Sequence, residues 1–319
     1  MPNKPILIVS GEPNSIFIEI LIKSLKKKRY KSSIILIVSL KLFKLQLKKL
    51  GFEYPFHIID IKENSLINLN NKKLNIIDIN YAFKKPFNKI SSSSNKYIEK
   101  CFNVALKLIK SGLTYKFING PISKKYFLKN KFLGVTEYLA KKTNTKNFAM
   151  LIYNKKLSVS PVTTHLPIKQ VSKNITKNSI IKKIILLNNF YKNYFKINPK
   201  IAITGLNPHC ESVNKYKEDI KVIQPAVKFL KKKMRIAGPL AADTVFLKNN
   251  RNKYNLIVGM YHDQVLTPMK TLFEYDAINI TIGLPFLRIS PDHGPNENMM
   301  GKNISNPKSL SEAIKFLDD

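Results

Sequence analysis

Several features that define common protein classes are missing from this chain of 319 residues. It has no tryptophan and two cysteines, Cys101 and Cys210, which are too few for a disulfide framework and indicate a reducing compartment. No apolar run approaches the ~20 residues that span a membrane. The first residues lack the layout of a secretory signal peptide. We therefore expect a cytoplasmic protein without a membrane partner.

Acidic residues are scarce: 20 Asp and Glu stand against 55 Lys and Arg, so the net charge is +35. Such a charge is typical of proteins that bind nucleic acid. However, only four of the basic residues are arginines, and the lysines are scattered over most helical segments rather than clustered with stacking aromatics. This pattern favours solvated helix faces over a nucleic-acid partner, although the field would still attract anionic substrates.

Glycine is also limited, to 11 residues, and the sequence holds no GxGxxG, Walker A or paired CxxC motif. These absences argue against a Rossmann domain, a P-loop NTPase and a zinc ribbon. Several of the few glycines lie in turns, where a positive φ or a close backbone approach is expected. They are Gly11, Gly120, Gly134, Gly205, Gly283 and Gly294.

Strand-length apolar runs alternate with segments of helical period along most of the chain. Examples of the runs are ILIVS (6–10), SIILIVSL (33–40) and YKFING (115–120), whereas the polar residues 62–95 predict a loop. The alternation predicts an α/β protein with a mainly parallel sheet, in which ligands collect at the carboxyl ends of strands. Length favours two lobes, roughly 1–130 plus 280–319, and 131–279.

Three of the five histidines occupy one kind of position. His165, His209 and His262 each follow a strand-like run, in SVSPVTTH, KIAITGLNPH and NLIVGMYH. Three imidazoles placed in this way could converge on one divalent cation and leave a position open for substrate. Each histidine alone could equally be a hydrogen-bonded structural residue, and the wide spacing leaves the geometry open.

Arg288 is one of the four arginines and lies in the segment NITIGLPFLRISPDHG, together with Asn279, Asp292 and His293. In a chain that otherwise uses lysine, an arginine here suggests that a planar fork is needed for a phosphate or carboxylate. The alternative is an ordinary surface arginine.

These segments carry a resemblance to a known family. GEP, NGPISK, TEYL, VTTHLP, GLNPH, GPLAADTVF, MYHDQ, NITIGLPFLR and DHG occur in the order and at the spacings of the PdxA family of 4-hydroxythreonine-4-phosphate dehydrogenases. The resemblance covers nearly the whole chain. It implies an isocitrate/isopropylmalate-dehydrogenase-like two-lobed α/β/α fold with a central cleft. It also implies a homodimer, NAD or NADP, and one divalent metal (Zn, Mg or Co) per active site.

The resemblance also implies roles for individual residues. The family's metal ligands fall on His165, His209 and His262, in a site shared between subunits. Its substrate contacts fall on Thr136, Lys270, Asn279 and Arg288, and Lys270 is also a catalytic candidate. Asp243 and Asp263 match acidic positions that would handle protons or support the site. The expected cofactor-binding stretch is Asp292, His293 and Gly294.

The implied reaction is NAD(P)-dependent oxidation of 4-phosphooxy-L-threonine to 2-amino-3-oxo-4-phosphooxybutanoate, which decarboxylates to 3-amino-2-oxopropyl phosphate on the way to pyridoxal 5′-phosphate. One departure bears on substrate: the family's GHTE reads GVTE, so Val135 replaces a histidine that contacts substrate. The turns GEPNS and DHGPN also depart from the pattern. A phosphothreonate or phosphoerythronate is therefore an alternative substrate. A remote alternative function is that of a catalytically inactive, basic nucleic-acid-binding protein.

Overall fold

The computed structural model describes residues 4–60, 69–129, 131–211, 217–291 and 293–319. The chain divides into two compact units. The first comprises the residues up to Tyr138 and those from Pro285 onwards, and the second runs from Leu139 to Leu284.

The described residues form strands and helices in alternation. The strands are β1 (Ile6–Val9), β2 (Ile34–Val38), β3 (Phe56–Ile58), β4 (Leu74–Asp78), β5 (Lys116–Asn119), β6 (Ala149–Tyr153), β7 (Ser158–Pro161), β8 (Ile201–Thr204), β9 (Ile236–Leu240), β10 (Leu256–Gly259), β11 (Ile278–Ile282) and β12 (Leu287–Pro291). The α-helices are α1 (Phe17–Lys27), α2 (Leu40–Leu50), α3 (Asn95–Lys110), α4 (Val135–Lys142), α5 (Ile168–Asn174), α6 (Lys177–Phe190), α7 (Gln224–Lys231), α8 (Ala242–Val245), α9 (Lys248–Arg251), α10 (His262–Phe273) and α11 (Lys308–Asp318). The predicted α/β class is confirmed.

In the first unit the strand order is β3-β4-β2-β1-β5-β12, and every one of these pairings is parallel. The four residues of β1 and all of β2 are buried, because helices cover both faces of a parallel sheet and its strands therefore read as continuous apolar runs. Helix α1 buries its apolar stripe and leaves Lys26 and Lys27 in solvent.

Two glycines allow the ends of β1 and β5 to approach closely. A Cβ at Gly11, which has φ +75°, would collide with the carbonyl oxygens of Gly120 and Pro121. A Cβ at Gly120 would collide with the Ser10 carbonyl oxygen and the Phe17 ring. Both turns therefore need glycine for space, as the sequence predicted for turns at strand ends.

In the second unit the strand order is β11-β6-β7-β10-β8-β9. Strands β11, β6 and β7 pair antiparallel, and the hairpin between β6 and β7 turns at Asn154 as the sequence predicted. Strands β7, β10, β8 and β9 pair parallel. The apolar core includes Ile152, Val159, Ile257 and Val265, which joins α10 to the sheet.

One element contradicts the sequence prediction. Residues 62–95 were expected to form a loop, but Leu74–Asp78 form β4 between β3 and β2. Its apolar residues are interrupted by Asn75, whose buried side chain donates to the Ile34 carbonyl oxygen at 3.1 Å and so satisfies its polarity inside the sheet. Within the described ranges, the structure contains no helix long and apolar enough to cross a membrane.

Candidate functional site

The three predicted histidines follow neighbouring parallel strands of the second unit. His165 lies four residues after β7, His209 five residues after β8, and His262 is the first residue of α10, just after β10. Because β7, β10 and β8 pair parallel in that order, their carboxyl ends share one edge of the sheet. This is the edge at which α/β proteins bind ligands.

Two of the histidines lie together. The ring centroids of His165 and His262 are 5.6 Å apart, and the rings are inclined by 38°. Two imidazoles that share one zinc ion at Zn–N ~2.0–2.1 Å, with a roughly tetrahedral angle, have centroids roughly 5 Å apart. The pair therefore fits as two ligands of one divalent ion with a small adjustment of side-chain torsions.

The third histidine, His209, lies in different surroundings. Its side chain is exposed, and its backbone has φ +55°, followed by Cys210 at +61°. Among the residues that the structure describes, no group of three His, Cys, Asp or Glu side chains could hold a metal ion. The three-histidine set thus stays a prediction, of which the chain brings two members together.

Asp263 contacts His262 directly. Its Oδ1 lies 2.6 Å from the His262 Nδ1. A carboxylate in this position keeps the proton on Nδ1 and leaves Nε2 as the electron-pair donor, which is the usual arrangement around metal-binding histidines. Asp263 is exposed, and its contact with His262 is consistent with the supporting role expected of this carboxylate.

Gln264 connects the ends of β8 and β10. Its Oε1 accepts hydrogen bonds from the Met260 backbone N–H at 2.6 Å and from the Thr204 hydroxyl at 2.9 Å. Its Nε2 donates to the Gly205 carbonyl oxygen at 2.8 Å. One side chain therefore sets the position of the strand end that precedes His262 relative to the strand end that precedes His209.

Asp219 holds the loop that carries His209. Its side chain is fully buried and accepts from the backbone N–H groups of Leu206 and Asn207, at 2.7 and 3.1 Å. The Asn207 side-chain amide donates to it as well, at 2.7 Å. A buried carboxylate with three donors is fully compensated, so the loop that presents His209 has a defined conformation.

In the first unit, the predicted substrate residues Arg288 and Thr136 meet at the carboxyl end of β5. The buried Arg288 guanidinium donates through Nε to the Asn119 Oδ1 at 2.7 Å and through Nη1 to the Thr136 hydroxyl at 3.2 Å. Burial lowers the pKa of Arg288 to about 10, and the nearby Glu137 opposes that shift. Arg288 is therefore a buried cation at neutral pH and not an ordinary surface arginine.

The same end of this sheet contains a buried carboxyl group. Glu12, in the turn after β1, accepts from the Asn14 backbone N–H at 3.2 Å and from the Ser94 hydroxyl at 3.0 Å. Burial raises the pKa of Glu12 to about 6, although these hydrogen bonds lower it, and the charge of Glu297 raises it further. Glu12 therefore titrates close to neutrality.

The remaining predicted residues of the second unit lie in different surroundings. Lys270 is half-buried on α10, the helix that His262 begins. Asn279 on β11 is half-buried, and its Oδ1 has no hydrogen-bond partner among the described residues. Asp243 is exposed in the first turn of α8. Its charge acts on Cys210, the residue after His209: burial raises the pKa of the Cys210 thiol, and the charges of Asp219 and Asp243 raise that pKa further. Asp243 therefore lies near the His209 loop.

The predicted cofactor-binding stretch follows β12. Asp292 lies outside the described residues. His293 Nδ1 lies 2.9 Å from the Gly294 carbonyl oxygen, and the Pro295 carbonyl oxygen accepts from the Ile16 backbone N–H at 3.2 Å. The stretch thus packs on the turn that precedes α1, which is the other turn in which this chain departs from the family pattern.

Sequence reasoning assigned no role to four residues that organise these strand ends: Glu12, Asn119, Asp219 and Gln264. Gln264 and Glu12 lie inside the motifs MYHDQ and GEP, and Asn119 begins NGPISK. Their place in these motifs is the signal by which the sequence could have identified the three residues. Asp219 is in no quoted motif. Its role depends on a contact across a loop and carries no local signal.

The described residues thus define an α/β protein with histidines at parallel strand ends of its second unit and a buried arginine at a strand end of its first unit. A family model described as "Pyridoxal phosphate biosynthetic protein PdxA" matches residues 30–317. The chain belongs to this family, as the sequence motifs predicted.

Individual relatives agree with that assignment. The chain is 38% identical to a 4-hydroxythreonine-4-phosphate dehydrogenase of Sulfurihydrogenibium sp., over 97% of this chain and 96% of that protein. It is 33% identical to a D-threonate 4-phosphate dehydrogenase of Pectobacterium atrosepticum, over 68% of each. The crystal structure of a 4-hydroxythreonine-4-phosphate dehydrogenase from Klebsiella pneumoniae superposes with a TM-score of 0.85 at 28% identity, covering 99% of this chain and 97% of that one. These similar proteins are dehydrogenases by name.

Proposed function

We propose that this protein oxidises 4-phosphooxy-L-threonine with NAD or NADP as the hydride acceptor, and that the keto-acid product then loses CO₂ in a route to pyridoxal 5′-phosphate. The observation that carries the chemistry is the pair of imidazole rings of His165 and His262, 5.6 Å apart at strand ends. Membership of the PdxA family supports the choice of substrate.

Residues of this chain have separate tasks in that reaction. His165 and His262, with His209, would hold a divalent cation, and Asp263 keeps the His262 proton on Nδ1. When bound, the cation would supply Lewis acidity to the substrate hydroxyl, and the nicotinamide would supply the hydride acceptor. Lys270 and Arg288 would attract the phosphate and carboxylate as fixed cations. Asn279 would offer its amide oxygen, which has no hydrogen-bond partner among the described residues, to the substrate.

Two further parts of the proposal concern assembly and cofactor position. His209 lies outside the pair formed by His165 and His262, which supports a homodimer in which two subunits together supply the three ligands. The stretch after β12, with Asp292, His293 and Gly294, would contact the nicotinamide dinucleotide.

D-Threonate 4-phosphate is the second candidate substrate. A relative at 33% identity bears that name, and Val135, which begins α4 next to Thr136, cannot make the polar contact of the family's histidine. The two substrates differ at C2, where one carries an amino group and the other a hydroxyl.

The test is a steady-state assay of the metal-loaded enzyme, which follows reduced nicotinamide absorbance on both substrates with NAD and with NADP. We expect a higher kcat/KM on 4-phosphooxy-L-threonine. A higher value on the threonate would assign the second candidate, and no turnover on either would contradict the proposal. Val135→His is the matched variant, because it restores the family's residue and should change the ratio of the two substrates.

A further inference from the structure

A basic cavity lies at the opposite edge of the first unit's sheet from Glu12 and Asn119. It has a volume of about 270 Å³ and is lined by the last turn of α1, the segment that leads from α1 to the first residue of β2, the turn that leads into β4, and Tyr54 before β3. Strands β2 and β4 start here, so the cavity faces the amino ends of the parallel strands. Substrates and cofactors of α/β proteins bind at the carboxyl ends of the strands. The cavity is therefore separate from the strand ends described above.

The lining of the cavity is strongly cationic. Six of its thirteen lining residues are Lys or Arg, against 55 of 319 in the whole chain, and among the described residues none of the lining is acidic. The six are Lys26, Lys27, Lys28, Arg29, Lys72 and Lys73. Lys26 and Lys27 lie in the last turn of α1, where basic residues complement the helix dipole. The other four lie outside the helix, so this explanation does not cover them.

The walls of the cavity are held in place by hydrogen bonds. The Ser33 hydroxyl donates to the Asn71 Oδ1, which joins the start of β2 to the turn before β4. The Asn70 Oδ1 accepts from the backbone N–H groups of Lys72 and Lys73, at 2.8 and 3.0 Å. The turn that presents Lys72 and Lys73 is thus a fixed backbone segment, which lowers the ordering cost of binding an anion.

A buried lysine contacts one of the residues that line the cavity. Lys116 on β5 is 8% exposed, and its Nζ contacts the hydroxyl of Ser32, a lining residue, at 3.3 Å. Burial lowers the pKa of Lys116, and the charge of Asp318 opposes that shift. Asp318 also accepts from the backbone N–H groups of Lys31 and Ser32. The Asp318 carboxylate therefore offsets the charge of Lys116, whereas no acidic residue among the described lining residues offsets the six lining cations.

We propose that this cavity is a binding site for a small polyphosphate anion. Its charge matches two or three linked phosphate groups, and its volume lies below the ~300–1,000 Å³ of pockets for drug-sized ligands, which argues against a dinucleotide. Half-buried Tyr54 lines the cavity and could contact a ring that carries the phosphates, whereas the Tyr30 ring is faced by the Lys28 Nζ, 5.8 Å from its centroid. A bare inorganic chain and a nucleotide triphosphate share this chemistry and are distinguished by experiment.

The experiment is calorimetric titration of the full chain at moderate salt with inorganic triphosphate and, separately, with ATP. The cavity variant carries Lys28→Gln, Arg29→Gln and Lys73→Gln. The matched control carries Lys48→Gln, Lys100→Gln and Lys107→Gln, which remove the same number of charges from exposed helix faces. Circular dichroism and thermal unfolding of both variants verify that they fold.

We expect the wild type and the control to bind alike and the cavity variant to bind at least about tenfold more weakly, because three charge-assisted contacts are lost. Tighter binding of ATP than of triphosphate would assign a nucleotide, and the reverse a bare chain. Equal weakening in the two variants would show that the +35 field alone attracts the anion and would overturn the site. Absence of wild-type binding of either probe at millimolar concentration would also overturn it.

Discussion

Arg288 illustrates how a single side chain organises a strand end. Its guanidinium joins Asn119 and Thr136, two residues from separate parts of the chain. An ammonium at this position is a point charge that cannot hold both partners in the planar geometry of the fork. Such charge-assisted hydrogen bonds contribute ~1.5–3 kcal/mol each.

We therefore predict that Arg288→Lys lowers kcat/KM by about tenfold to a hundredfold, since ~1.4 kcal/mol is a factor of ten. Steady-state kinetics with the phosphorylated substrate measures the change, and thermal unfolding reports the accompanying loss of stability. Arg235→Lys, at an exposed arginine, is the matched control and should behave like wild type. An unchanged kcat/KM would mean that the overall positive field, which both variants keep, is sufficient.

Glu12 makes a prediction about pH. Its pKa is about 6 in the folded protein, above the ordinary value of 4.5, because it is buried. Between these pH values the folded state retains the proton that the unfolded chain has released, so the free energy of unfolding falls as the pH rises. The raised pKa corresponds to about 2 kcal/mol at ~1.4 kcal/mol per pH unit.

Glu12→Gln should remove this fall in the free energy of unfolding with rising pH. Urea unfolding of wild type and variant at about pH 4.5 and about pH 7 gives the difference in pH dependence, which isolates Glu12 from other titrating groups. Glu53→Gln, at an exposed glutamate, is the control and should follow the wild type. Parallel pH dependence in wild type and Glu12→Gln would show that Glu12 ionises normally.

At the scale of elements, the relation between β8 and β10 depends on Gln264. Gln264→Met keeps the length of the side chain but leaves the Met260 N–H, the Thr204 hydroxyl and the Gly205 carbonyl without their partner. Partners that support metal ligands typically contribute ~10–100-fold in metal affinity. We predict a loss of that order for a divalent metal, together with a destabilisation of about 1–3 kcal/mol.

Metal titration and thermal unfolding measure the two effects. Gln170→Met, on the exposed face of α5, is the matched control and should show neither effect. A Gln264→Met protein that is destabilised but binds metal normally would mean that Gln264 supports the sheet without positioning the histidines.

At the scale of the whole molecule, the separation of His209 from the His165–His262 pair predicts that two subunits share each site. His209→Ala and His262→Ala should each be inactive alone. If one subunit supplies His209 and the other supplies the pair, a mixed dimer contains one intact site, and random re-association restores roughly a quarter of wild-type activity.

Light scattering during size-exclusion chromatography establishes the oligomeric state, and the assay is repeated on the two variants refolded together. Refolding each variant alone is the control. An active monomer, or a mixture no more active than its components, would place all ligands of a site on one chain.

The sequence by itself determined most elements and the family. Apolar runs such as ILIVS must be buried on both faces, so their length and flanking turns identify β1, β2 and β5 without tertiary information. It failed at β4, because Asn75 breaks the apolar run and its hydrogen bond to Ile34 forms only once two strands are adjacent. The positions of the three histidines after strands were likewise readable from local pattern.

Tertiary structure alone decided which of those residues meet. Strand order brings His165 and His262 together across nearly a hundred residues and places Arg288 against Thr136, whereas local periodicity contains no information on distance between remote segments. The same holds for Asp219 and Gln264, whose roles depend on polar groups that become buried in the folded chain and then require partners. Desolvation, which raises the pKa of Glu12 and lowers that of Arg288, likewise exists only in the folded protein, because it follows from burial among residues distant in sequence.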